Sequence, residues 1–254
     1  MSVSAQLNPA FDHMVVFGDS LSDTGNAGRF SNGPVWVEQL AASLNVALAP
    51  SLMGGTNFAI GGAKLDAHSD ASSLRAQADL YLRKATRSGR TLHVVFGGGN
   101  DVLGAIGDPE ASRAIGRAAE SLRSIVADLL AHGATDLLIP NLPDVSITPE
   151  VRARGSRAAE DAARLSQLFN EAAERALDQV APAFRPTRKL YRLDVHAMAE
   201  RARKDPAAFG FVDVSTPCNL LPTCDGHLFW DGVHPTTQAH ARLGDAALQV
   251  LFQH

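Results

Sequence analysis

Residues 14–26 read MVVFGDSLSDTGN, and within this stretch the chain passes from an apolar run to a polar, glycine-bearing loop. Met14 to Phe17 read as a short buried strand. Gly18 permits a tight turn, and Asp19, Ser20, Ser22, Asp23 and Asn26 follow together with Gly25. In an open α/β sheet, ligands bind just beyond the carboxyl ends of the strands. Ser20 falls at such a point. Taken alone, the segment fits both a reactive hydroxyl and a serine that caps a following helix.

Working outward, further apolar segments read as strands at Asn57–Ile60, Leu92–Phe96, Leu137–Ile139 and Lys189–Asp194. Two of them, like the first, end in glycines: Gly61-Gly62 and Gly97-Gly98-Gly99. Between the strands, apolar residues recur at helical spacing. The pattern predicts a helix opened by Pro34 and one from about Leu74 to Ser88. It predicts another from Asp108-Pro109 to Ala131, with Ile115, Ala118, Leu122, Ile125 and Leu129 on one stripe. A long helix runs toward Val180, a short one follows Asp194, and a last one starts at Pro235. Strands alternating with helices predict an α/β fold with a parallel sheet covered on both faces. No repeat or linker interrupts the chain, so residues 1–254 read as a single domain, with 1–12 as an irregular lead-in.

Composition narrows the function. Of 254 residues, 45% are hydrophobic and 20% charged, which is ordinary for a globular protein. A net charge of −4 gives no electrostatic footprint for nucleic acid. No apolar run is long enough to span a bilayer. The first residues, MSVSAQLN, lack the basic and apolar regions of a secretory signal. The two cysteines, Cys218 and Cys224, share a loop with Pro217 and Pro222. A disulfide between them is the expected state, with two neighbouring thiols as the alternative. The disulfide would place the protein in an oxidising compartment, secreted or periplasmic. Two cysteines do not make a four-ligand zinc site, and no histidine pair completes one.

Near the C-terminus stands FWDGVHPT, residues 229–236. Asp231 and His234 are three apart in a turn, so their side chains can lie together. Pro235 biases His234 away from helical backbone angles and suits the first turn of the helix that follows. A histidine with an adjoining carboxylate is the base-and-orienter half of a catalytic triad. On its own the pair fits equally a capped surface turn.

Taken together, FGDSLSDTGN at 17–26, NFAIGGA at 57–63, GGND at 98–101 and FWDGVHPT at 229–236 resemble the GDSL, or SGNH, hydrolase family, in that family's order. NLPDVSITP at 141–149 and the Cys218–Cys224 loop resemble its bacterial lipase/esterase branch. The resemblance implies a three-layer α/β/α flavodoxin-like sandwich with a central five-stranded parallel sheet. It also implies ester hydrolysis without metal or cofactor, on a small-molecule or lipid ester. Ser20 matches the nucleophile, His234 the general base and Asp231 its orienting acid. The Ser20 and Gly62 backbone N–H groups and the Asn100 side chain match the oxyanion donors. Elementary chemistry agrees, since a serine hydroxyl needs a base to become nucleophilic and the tetrahedral oxyanion needs donors aimed at it.

The remaining histidines (His13, His68, His93, His132, His196, His227, His240 and His254) show no metal-ligand spacing, and most read as surface or helix-end residues. Glycines 97–99 are not followed by Gly-Lys-Ser/Thr, which excludes a phosphate loop. The Gly-x-Ser-x-Gly elbow is absent around Ser20. Trp36 and Trp230 read as packing residues. Loops at 27–33, 103–108, 142–154 and 205–228 are expected to shape the substrate pocket. The rival readings are acyl transfer to an alcohol through the same acyl-enzyme, and a binding module that retains the fold without catalysis. A histidine base predicts activity that falls in acid.

Overall fold

The computed structural model describes residues 11–65, 70–83, 88–184 and 187–253. Four parallel strands form the sheet: β1 (His13–Gly18), β2 (Thr91–Phe96), β3 (Asp136–Pro140) and β4 (Lys189–Leu193), in spatial order β1-β2-β3-β4. β1 and β2 pair over their whole length, from His13 opposite Thr91 to Gly18 opposite Phe96. Each central strand is covered on both faces, which is why Met14–Phe17 and Leu137–Ile139 are apolar without alternation.

The expected fifth strand, Asn57–Ile60, is reduced to isolated parallel bridges of Asn57 with Val16 and with Pro50. Val16 N–H donates to Thr56 O and Phe58 N–H to Val16 O, so pairing begins as in a parallel ladder. It is interrupted at Gly18, whose N–H is taken by Gln77 Oε1 at 2.9 Å while Gln77 Nε2 donates back to Gly18 O; Gly18 O also accepts from Ile60 N–H at 3.1 Å. Ala59 N–H is withdrawn by Asn57 Oδ1. With this segment beside β1, the order is the flavodoxin-like one with its second strand cut short. Its switch point lies between β1 and β2.

Helices cover both faces. α1 (Trp36–Leu44) packs with α8 (Thr237–Phe252). α2 (Leu74–Leu82), α3 (Gly99–Ala105), α4 (Ala111–Ala131), α5 (Pro149–Ala153) and α6 (Ser156–Val180) form the other group of mutual contacts. α7 (Val195–Lys204) follows β4 directly. Several boundaries differ from expectation. Pro34 precedes α1 instead of opening it. Val35 is the N-cap, and its N–H donates to Glu38 Oε2 at 2.8 Å. Pro235 likewise stands outside α8, because Thr236 takes the cap and accepts from Ala239 N–H. The helix expected from Asp108 starts at Ala111. α3, unforeseen in a glycine run, begins at once after Gly98, whose φ of 107° makes the turn. The expected extension of α2 toward Ser88 and most of the lead-in fall on residues outside those described, as do His68 and His254.

Two of the histidines without metal-ligand spacing are core residues. His93 is 5% exposed and His240 1% exposed. Trp36 is fully buried, as its packing role requires, and its Nε1–H donates to Ser22 Oγ at 3.1 Å.

Candidate active site

Gly18 ends β1 where a Cβ would stand 2.9 Å from Phe96 O and 3.1 Å from Ser22 Cβ, so the turn tolerates no side chain. Ser22 N–H closes the turn onto Asp19 O, and Leu21 N–H donates to Asp19 Oδ1. Ser20 is thereby held at the turn's apex, 7% exposed. The loop beyond is organised by Asp23. Its carboxylate accepts from the N–H groups of Gly25, Asn26, Ala27 and Gly61 at 2.7–3.0 Å. Asn57 Nδ2 donates to Ser22 O and Asn26 Nδ2 to Asn57 O and Ala59 O. The serine loop and the 56–62 segment are thus stitched into one rigid unit.

His234 comes from the far end of the chain. Trp230 N–H donates to His234 O at 2.8 Å, closing the turn. Asp231 Oδ1 accepts from the N–H groups of Val233 and His234. His234 Nδ1 lies 2.8 Å from Asp231 Oδ2, and His234 Nε2 lies 2.8 Å from Ser20 Oγ. The Phe30 ring packs 5.2 Å from the imidazole. The turn is braced from two sides. Glu150 N–H donates to Gly232 O, and Asn219 N–H, in the loop closed by the Cys218–Cys224 disulfide, donates to Trp230 O.

Electrostatics follow from this packing. Burial pushes the Asp231 carboxyl up, but the hydrogen bonds from His234 and Val233 outweigh it and hold the group below its ordinary range. Asp19 goes the other way. Burial raises its pKa to about 6, against the Leu21 N–H and His234, while Asp101 adds to the rise.

Asn100 sits in the first turn of α3, at the carboxyl end of β2. Its Nδ2 donates to Ala63 O at 3.0 Å, which fixes the amide and leaves the second Nδ2 hydrogen uncommitted. Asn100 lines the same cavity as Ser20 and His234. Gly62 is exposed, has a φ of 79° and lies outside that cavity's lining. Its neighbour Gly61 packs so close to Phe30 that a Cβ would stand 2.4 Å from the ring. Among the described residues, neither the Ser20 nor the Gly62 N–H has a protein acceptor.

The cavity holds about 140 Å³, and Ser20, Asn100 and His234 line it together with mostly apolar side chains. As expected, the 142–154 and 205–228 loops supply wall residues, including Val145, Phe209 and Phe211, and Leu103 contributes from α3; none comes from 27–33. α7 contributes Val195, Met198, Ala199 and Ala202, which the sequence reading did not assign to the site. Their i, i+3, i+4, i+7 spacing was the available signal. Trp230 is not among the lining residues. Among the described residues, no group of three His, Cys, Asp or Glu side chains is placed to hold a metal ion.

Comparison with known proteins returns one family model, GDSL-like lipase/acylhydrolase, over residues 14–247. A phosphatidylcholine-sterol acyltransferase of Aeromonas hydrophila is 28% identical, over 96% of this chain and 91% of that protein. Lipase 1 of Photorhabdus luminescens is 33% identical over 67% of this chain, which matches only 29% of the lipase. Among solved structures, a member of the lipolytic G-D-S-L family from Veillonella parvula superposes with a TM-score of 0.57 at 18% identity, covering 95% of this chain and 98% of that one. An acetylxylan esterase from Geobacillus stearothermophilus gives 0.55 at 19% identity, covering 95% and 94%. At these identities the structural likeness speaks for the fold.

Proposed function

Because this chain belongs to the GDSL-like lipase/acylhydrolase family, we propose that it is a carboxylic ester hydrolase working through an acyl-enzyme on Ser20. The observation that carries this reading is the relay of two 2.8 Å contacts, Ser20 Oγ to His234 Nε2 and His234 Nδ1 to Asp231 Oδ2, at the mouth of an apolar cavity. Ser20 Oγ attacks the ester carbonyl as His234 Nε2 takes its proton. Asp231 accepts from Nδ1–H, which selects the tautomer with a free Nε2 lone pair and stabilises the imidazolium. The carbonyl oxygen becomes an oxyanion. The Ser20 N–H and Asn100 Nδ2 are the donors best supported for it, and Gly62 N–H completes the set if substrate reaches the Phe30 side of the mouth. His234 then protonates the leaving alcohol. Water, deprotonated by the same nitrogen, attacks the acyl-enzyme and releases the acid.

In this reading the 254 residues work as one catalytic domain, and the Cys218–Cys224 disulfide supports an oxidising compartment, secreted or periplasmic. The test is turnover of short nitrophenyl esters by wild type and Ser20→Ala. Hydrolysis that vanishes in the variant supports the reading, and equal turnover removes Ser20 from the mechanism.

The Aeromonas relative's name favours a second reading, acyl transfer to an alcohol from the same acyl-enzyme. Product analysis with a competing alcohol separates the two. Predominant transfer would replace the hydrolase label and leave Ser20 in its role.

A further inference from the structure

His240 stands in α8, six residues beyond His234, and lines the cavity that opens at Ser20. It is 1% exposed, and both its ring nitrogens lack a hydrogen-bond partner. Leaving such a group unpaired costs about 1–3 kcal/mol, a cost that an apolar residue would avoid. Two other polar side chains on the wall are already committed. Thr148 Oγ1 donates to Val145 O, and Arg242 Nε donates to Phe209 O. His240 is therefore an uncommitted hydrogen-bonding group in the wall of a mostly apolar cavity, its two nitrogens covered and met by a ligand through a turn of the ring; a few polar groups in an apolar lining are what fix orientation and specificity in pockets.

Size and charge define what it would meet. The cavity volume of about 140 Å³ is close to the roughly 150 Å³ of an engineered apolar cavity that takes benzene, a six-carbon ligand. Burial, with His234 and Arg29 adding to it, holds the ring's pKa down to about 3, so the imidazole is neutral. A neutral imidazole offers one donor and one acceptor, as a hydroxyl does. An anion would gain no opposite charge here and would lose its hydration.

We propose that His240 is a specificity-determining residue of the acyl pocket, selecting acyl groups of about six carbons that carry a hydroxyl on the chain over plain alkanoyl groups. The proposal rests on the ester-hydrolase reading. It assigns a substrate class that the Ser20, Asp231 and His234 arrangement does not specify.

The test sets ethyl hexanoate in direct competition with ethyl 3-, 5- and 6-hydroxyhexanoate, with Ser20→Ala protein as the blank. In the wild type, at least one hydroxylated ester is expected to show kcat/KM about 10-fold or more above ethyl hexanoate, the size of one net hydrogen bond. His240→Leu is expected to bring that ratio to about 1, and His240→Gln, which keeps a donor and an acceptor, to retain part of it. Wild-type ratios at or below about 1 for all three esters overturn the proposal, whether or not the variants fold. So does a preference that survives in His240→Leu. Failure of the ester-hydrolase reading looks different: no ester, plain or hydroxylated, is consumed faster than in the blank, and both readings fall together.

Discussion

His234 Nε2 lies 2.8 Å from Ser20 Oγ although 214 positions of sequence separate the two residues. The contact joins the loop after the first strand to the turn before the last helix. Asp23 and Asn57 tie down the first segment by hydrogen bonds, while Asp231, Glu150 and Asn219 tie down the second.

Asp231→Asn tests the orienting carboxylate. An asparagine fills the same space but can present N–H to His234 Nδ1, which favours the wrong tautomer. A fall in kcat of about 10⁴ is expected, with thermal stability little changed. A variant within 10-fold of wild type would remove Asp231 from the relay.

Asn100→Ala tests the oxyanion donor. Removing one such donor costs about 10²–10³ in kcat, with KM changed much less. The bond to Ala63 O is lost as well, so the melting temperature is to be recorded alongside. An equal loss in both quantities would assign Asn100 a structural role only.

Much of this site is legible in the four motifs taken together, though in none of them alone. Ser20, Asp231 and His234 stand in short turn segments, and it is their order along the chain with Asn100 that singles them out. The truncated edge strand was not legible, because the group that interrupts it, Gln77, lies 59 residues from Gly18. α3 was missed because Gly97–Gly99 reads as loop, whereas Gly98 is required by the Phe169 ring, 2.5 Å from where its Cβ would be. The stripe Leu243, Ala247 and Leu251 extends back to His240 at helical spacing, so its burial was signalled, although a histidine by itself does not read as a core residue.

Asp19→Asn tests a stored electrostatic cost. The carboxyl's pKa rises from 3.8 to about 6 on folding, so the folded state binds the proton more tightly than the unfolded chain. Stability is therefore undiminished below pH 3.8, falls as the pH rises toward 6, and stays reduced above it. The variant is expected to be more stable than wild type at pH 8, by up to about 3 kcal/mol, and equal to it below pH 4. Denaturant titrations at the two pH values check this. A variant less stable at pH 8 would contradict it.

Replacing both Cys218 and Cys224 by serine reopens a short loop. Chain entropy gives about 2 kcal/mol of destabilisation for a loop of this length, or a fall of about 4–8 °C in Tm for a chain of this size. Reduction of the wild type should reproduce the shift. No shift in either experiment would show that the hydrogen bonds from Cys218 and Asn219 to Trp230 hold the loop unaided.

Labelling with a fluorophosphonate, followed by peptide mass spectrometry, asks most directly whether the hydroxyl after the first strand is the nucleophile. The account expects one adduct, on Ser20, with stoichiometric loss of ester hydrolysis and no labelling of His234→Ala. An adduct on another residue, or full hydrolysis by protein labelled at Ser20, would contradict it.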